Sequence, residues 1–202
     1  VRVICLSLLN TDWCIRQIRD FPPKVPVNLT DTQIKMMEPE LINNRVVMVK
    51  DKMVQHIIKA NNWKRPIYLA VTVPDQMGLQ RQLSMEGLVF RVNKDPVTST
   101  IDVAKADENL NHLYKYEGFL TPSGDWDSKV YKDNETSALL QNYAAAWVQL
   151  AIQYHDMGQP QKAMEQMAKA AKFAPEFPSV ALAMGAVYER FGDLKTAEKM
   201  YD

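Results

Sequence analysis

Thirty-four residues separate two matching sets of side chains in the last third of this chain. Trp147 falls on Ala181, Leu150 on Met184, Ala151 on Gly185 and Tyr154 on Tyr188. Gly158 falls on Gly192, Ala163 on Ala197 and Met167 on Tyr201. A register of this kind demands that one supersecondary unit repeat, because each copy must bury the same face on its neighbour. Helical spacing runs through both copies: Leu139, Leu140, Tyr143, Trp147, Leu150, Ala151 and Tyr154 form one apolar stripe. Gly158-Gln159-Pro160 breaks it, Gln161 to Phe173 resumes it, and Pro175 and Pro178 punctuate before Val180 to Phe191.

These residues resemble the tetratricopeptide family: Trp147, Leu150, Ala151 and Tyr154 in a first helix, Ala163, Met167 and Ala170 in a second, and Pro175 at its end. Small side chains at Ala151, Gly185, Ala163 and Ala197 let paired helices approach, and Trp147, Tyr154 and Tyr188 fill the wedge between them. The resemblance implies a concave groove for a protein or peptide, with Val148, Ile152, His155 and Asp156 facing it from the first unit. Leu182, Ala186, Glu189 and Arg190 face it from the second, which stops short, so further repeats are expected beyond Asp202. Ala181 and Met167 depart from the family's large landmarks.

Ahead of the repeats the pattern changes. Val1–Leu9 is an almost unbroken apolar run, expected as a strand. Asn10-Thr11-Asp12 offers a helix start, and Phe21-Pro22-Pro23 a stop. Val25, Val27 and Leu29 suggest an edge strand or extended linker. Thr30 and Gln33 have capping-box spacing. Arg45–Val49 reads as a strand, Asp51–Asn61 as a helix and Pro66–Val73 as a strand. That strand-helix-strand order predicts parallel pairing with a right-handed crossover. A short helix near Gln76–Leu83 and a strand at Leu88–Val92 follow. The reading is a small α/β domain with a partly parallel sheet over residues 1–95 and a connector with one helix, Ala106–Tyr116, over 96–132. An all-α tetratricopeptide-type module fills residues 133–202.

In such sheets ligands sit at the carboxyl ends of strands. Asn10, Asp12, Asp51 and Asp75 occupy those loops, and two readings stand: a polar edge for a glycan or small ligand, or simple helix caps. No glycine-rich phosphate loop follows a strand. His56, His112 and His155 have no partner at metal spacing, Cys5 and Cys14 make no metal pattern, and Ser7 and Ser84 lack a nucleophile context. No catalytic residues, cofactor or metal are expected. Asn28-Leu29-Thr30 and Asn134-Glu135-Thr136 match the short glycosylation sequon. With 24 basic and 24 acidic side chains the chain has no electrostatic footprint for nucleic acid or anionic lipid.

A second resemblance rests on Val1–Trp13 (VRVICLSLLNTDW), Asn62–Val73 (NWKRPIYLAVTV), Met85–Arg91 (MEGLVFR) and Tyr131–Ala146 (YKDNETSALLQNYAAA). These blocks are similar to the soluble C-terminal region of bacterial multi-pass membrane proteins related to protein O-mannosyltransferases. The resemblance implies a fragment of a membrane-anchored, glycosyltransferase-like parent, held on the extracytoplasmic side, with membrane helices and any sugar-transfer chemistry elsewhere in the parent. The function expected of this region is non-catalytic: a scaffold that binds a partner or acceptor polypeptide, or else a structural brace.

Overall fold

The computed structural model describes residues 1–74, 76–173 and 177–201, and its contacts divide the chain into two compact units, Val1–Ile67 and Tyr68–Asp202.

In the first unit a 3-10 turn over Ser7–Asn10 leads into α1 (Asp12–Asp20). Cys14, Ile15 and Ile18 recur at helical spacing and are buried. Helix α2 (Asp31–Lys35) opens on a complete capping box: Thr30 Oγ1 accepts the Gln33 N–H, and Gln33 Oε1 accepts the Thr30 N–H. Arg19 ties the two helices, donating to the Leu29 carbonyl at 2.8 Å and to Asp31 at 2.6 Å. Strands β1 (Glu40–Ile42) and β2 (Arg45–Val47) form an antiparallel hairpin. Asn43 and Asn44 turn it, at φ 49° and 62°, as a two-residue turn of the primed type requires. Helix α3 (Val49–Asn61) then buries Met53, Val54 and Ile58, and left-handed Asn62 ends it.

Two expectations fail here. Val1–Leu9 forms no strand: Val1 and Val3 lie exposed, of the run only Leu9 is buried, and among the described residues no strand pairs with its backbone. The strand at 45–47 does not begin a parallel crossover, since the Asn-Asn turn pairs it with Glu40–Ile42.

In the second unit β3 (Tyr68–Ala70), β4 (Leu83–Met85) and β5 (Val89–Val92) make a sheet in the order β3-β5-β4, antiparallel throughout. The partly parallel sheet expected from the sequence is therefore corrected to two small antiparallel sheets. Among the described residues, parallel pairing survives only as isolated bridges, Met85 with Ile101 and Glu117 with Leu120. Strands β3, β4 and β5, grouped in the sequence reading with the first 67 residues, pair with one another within this second unit. Only a 3-10 turn, Gln80–Gln82, forms where a helix was expected. Helix α4 (Val103–Glu108) widens into a π-turn over Asn109–Leu113.

The remainder is all helical: α5 (Asn134–Asp156), α6 (Pro160–Ala171), α7 (Pro178–Arg190) and α8 (Leu194–Tyr201). Pro160 and Pro178 sit in first turns, where a missing N–H costs nothing. Helix α5 packs on α6 and α7 on α8, with α5 also against α7. The first helices of the two pairs end alike. Gly158 has φ 71° and Gly192 φ 81°, and the following N–H reaches back to Tyr154 O in one and Tyr188 O in the other, at 2.8 and 2.9 Å. Trp147, Tyr154 and Tyr188 are buried, as are Ala151, Ala163, Gly185 and Ala197 in the helix contacts. A Cβ on Gly185 would run into the Tyr201 ring. Pro175 lies outside the described residues.

Candidate functional site: the α5–α7 face

Helical periodicity brings one stripe of α5 beside one stripe of α7. Ile152 is half-buried, and Leu182, Ala186 and Glu189 are exposed. Asp156 and Arg190 meet across the face, Arg190 Nη2 donating to both carboxylate oxygens at 2.8 and 2.9 Å. His155 lies flat on Phe191, centroids 4.1 Å apart and planes 10° from parallel. Val148 departs from expectation: at 6% exposure it belongs to the core and forms the floor beneath the face. Sequence reasoning missed Gln141 and Ser179, which join the two helices by a hydrogen bond of 3.1 Å. Each stands two turns before a named residue, Gln141 before Val148 and Ser179 before Ala186, so extending the stripes backward would have found them.

Behind this face a connector closes α5 and α6. Asn111 uses its whole hydrogen-bonding capacity. Its Nδ2 donates to Asp107 Oδ1 at 2.8 Å and Gln166 Oε1 at 3.0 Å, while its Oδ1 accepts from Trp147 Nε1 at 3.3 Å and Lys169 Nζ at 2.6 Å. Tyr116 packs on Trp147 at 5.3 Å between centroids, and its hydroxyl donates to Leu110 O at 2.5 Å. Burial pushes the Tyr116 phenol above its ordinary value, and Tyr154 up to about 12, with the Asp107 carboxylate adding to the second shift. An open cleft of about 520 Å³ lies over this network, between α6 and residues 110–124.

The candidate ligand edge falls in the first unit, apart from Asp75, which lies outside the described residues. Asn10 and Asp51 do meet at one helix end, as caps of α3. Asn10 Oδ1 accepts the Lys50 N–H and Asp51 Oδ2 the Met48 N–H, both at 2.9 Å. Asp51 Oδ1 is buried without a hydrogen-bond partner. Asp12 pairs with Arg16 one turn on, at 2.7 Å. His56 accepts the Asn28 N–H at 3.1 Å, and burial lowers its pKa. Among the described residues no group of three metal-binding side chains converges, and no helix is long and apolar enough to cross a membrane.

Small antiparallel sheets with several helices, leading into an all-helical C-terminal part, define the class of this chain. A family model described as TMEM260-associated domain 2, a family linked to the protein O-mannosyltransferase-like protein TMEM260, matches residues 23–112, just under half of the chain. The matched stretch reaches from the segment before α2 to the π-turn that carries Asn111. No tetratricopeptide model matches, and no curated protein and no solved structure matches.

Proposed function

We propose that α5–α8 are tetratricopeptide-type helix pairs and that the α5–α7 face binds a polypeptide, making this a non-catalytic interaction region. The observation that carries the reading is the matching termination of α5 and α7, thirty-four residues apart, with the two helices side by side and Leu182 of α7 55% exposed. An exposed leucine on α7 and a half-buried isoleucine on α5, in a cross-linked helix pair, suit an apolar ridge of a partner. The match to TMEM260-associated domain 2, together with the resemblance of the sequence blocks quoted above to mannosyltransferase-related membrane proteins, supports a membrane-anchored glycosyltransferase-like parent. The region then stands on the extracytoplasmic side and gathers acceptor or partner chains for chemistry performed elsewhere in that parent.

Affinity purification of the chain from its source cells, beside Leu182→Glu and Ile152→Glu, tests this. A polypeptide retained by the unaltered chain and lost from both variants, with helical circular dichroism unchanged, is the expected result. Partners indifferent to both substitutions would overturn the binding face and leave a structural brace.

A further inference from the structure

The fold treats the two glycosylation sequons differently. Asn28-Leu29-Thr30 ends a segment, Lys24–Thr30, that carries no helix or turn and leads into α2. Backbone bonds hold it to α1: the Val25 N–H donates to the Ile18 carbonyl, and the Leu29 carbonyl accepts from Arg19, both at 2.8 Å. Its burial alternates as in extended chain. Val25 and Val27 are buried, whereas Asn28 and Thr30 share the opposite face and are exposed. The hydrogen bond at Asn28 is made by its backbone N–H, to His56 Nε2 at 3.1 Å, so the side-chain amide stays uncommitted. Thr30 Oγ1 meets the Gln33 N–H and Oε1 at only 3.3 and 3.2 Å, in the open, where a competing partner can claim it. Asn134-Glu135-Thr136 instead opens α5. Side chains two apart in a helix stand about 200° from each other around its axis. Asn134 is exposed, but Thr136 is half-buried, with its N–H bonded to Asp133 Oδ1 at 2.7 Å.

We propose that Asn28 carries an N-linked glycan and that Asn134 does not. The proposal rests on the extracytoplasmic placement given above. The sequon pairs an asparagine with a hydroxyl two residues on, so the transferring enzyme must engage both together. Asn28 and Thr30 present the two groups from one exposed face, while the first turn of α5 sends them to opposite sides. In the transfer, Asn28 Nδ2 bonds to the anomeric carbon of a lipid-diphosphate-linked oligosaccharide. The bond from that carbon to the diphosphate oxygen breaks, the lipid diphosphate leaves, and the amide proton passes to a base of the enzyme. A glycan is bulky and solvated, and an exposed side chain carries it without repacking.

Peptide mass spectrometry of the full-length protein from its source cells provides the test, after an N-glycanase in heavy-oxygen water has converted each glycosylated asparagine to labelled aspartate. A membrane-impermeant maleimide, mapped to the peptide of exposed Cys5, reports in parallel which side of the membrane the region occupies. The expected result is label at Asn28 and none at Asn134. Asn28→Gln keeps the backbone N–H that His56 accepts and loses the label; Thr30→Ser keeps the hydroxyl and retains it. Unlabelled Asn28 on a chain whose Cys5 is extracytoplasmic overturns the inference and leaves the placement standing. A cytoplasmic Cys5 overturns both. Label at Asn134, alone or beside Asn28, overturns the selection by helix geometry.

Discussion

Asn111 holds four partners with one neutral side chain, and three of them lie 36, 55 and 58 residues further along. Asn111→Leu strips the acceptor from Lys169 and the donor from Gln166, which is only 3% exposed. A buried polar group left unpaired costs roughly 1–3 kcal/mol. We expect a loss of that size in urea unfolding followed by circular dichroism; a change below about 0.5 kcal/mol would show that the network merely decorates the cleft. Gly87 makes a second demand at this scale. Its φ is 93°, and a Cβ there would stand 2.8 Å from the Tyr114 hydroxyl, which accepts the Leu88 N–H. Gly87→Ala meets backbone strain and that contact together, so we expect a loss of more than about 1 kcal/mol, read by the same measurement. If Tyr114→Phe restores the loss, the hydroxyl contact is its cause. If it does not, the backbone is.

Two helices of the C-terminal part, α5 and α8, begin on carboxylates with known partners. Asp133 accepts the Thr136 N–H and Asp193 the Thr196 N–H, at 2.7 and 3.1 Å. Those bonds hold both carboxyls below the ordinary aspartate value. A depressed folded pKa means that the contribution is whole above the unfolded value near 3.9 and is lost as pH falls through the lower folded one. The double change Asp133→Asn, Asp193→Asn keeps an acceptor but removes the titration. We expect it to flatten the acid side of a melting-temperature profile between about pH 5 and 2. An unaltered profile would assign acid sensitivity to other groups. The seam between α5 and α6 is closed by residues without bulk, and Ala163 is fully buried. Ala163→Leu forces the helices apart and should cost about 1–3 kcal/mol in calorimetry. The cap, break and helix spacing around these elements were legible because each is local: Thr30 with Gln33, Gly158 after Tyr154, Gly192 after Tyr188. Strand pairing was not. Arg45–Val47 fitted a crossover by spacing, yet the Asn43-Asn44 turn beside it decided the partner. Apolar Val1–Leu9 looked like a strand only while its lack of a neighbour went unseen. Of the candidate groove, every residue but Val148 lies outside the buried core; Gln141 and Ser179 lie on the same helical stripes extended two turns back, whereas Asn111 emerged only from tertiary contacts.

At the scale of the molecule, one buried cluster runs from Met85 and Ile101 through Leu110 to helices α5–α8, all within the second unit. Residues 68–202 expressed alone should therefore melt cooperatively with their helical circular dichroism intact. Residues 133–202 alone lose Tyr116 from Trp147 and Trp126 from Phe173 and Phe177, and should lose protection from hydrogen exchange along α5. A non-cooperative melt of residues 68–202 would show that the division does not mark a folding unit. The family match at residues 23–112 spans that division, so what its members share extends over parts of both units. The indoles are dealt evenly: Trp13 and Trp63 before the division, Trp126 and Trp147 after it. Trp13 is 50% exposed and Trp147 only 2%. Iodide should thus dim the red-shifted light of Trp13 and spare the blue emission of Trp147, one indole in each unit, so the intact chain reports optically on each half without a dye.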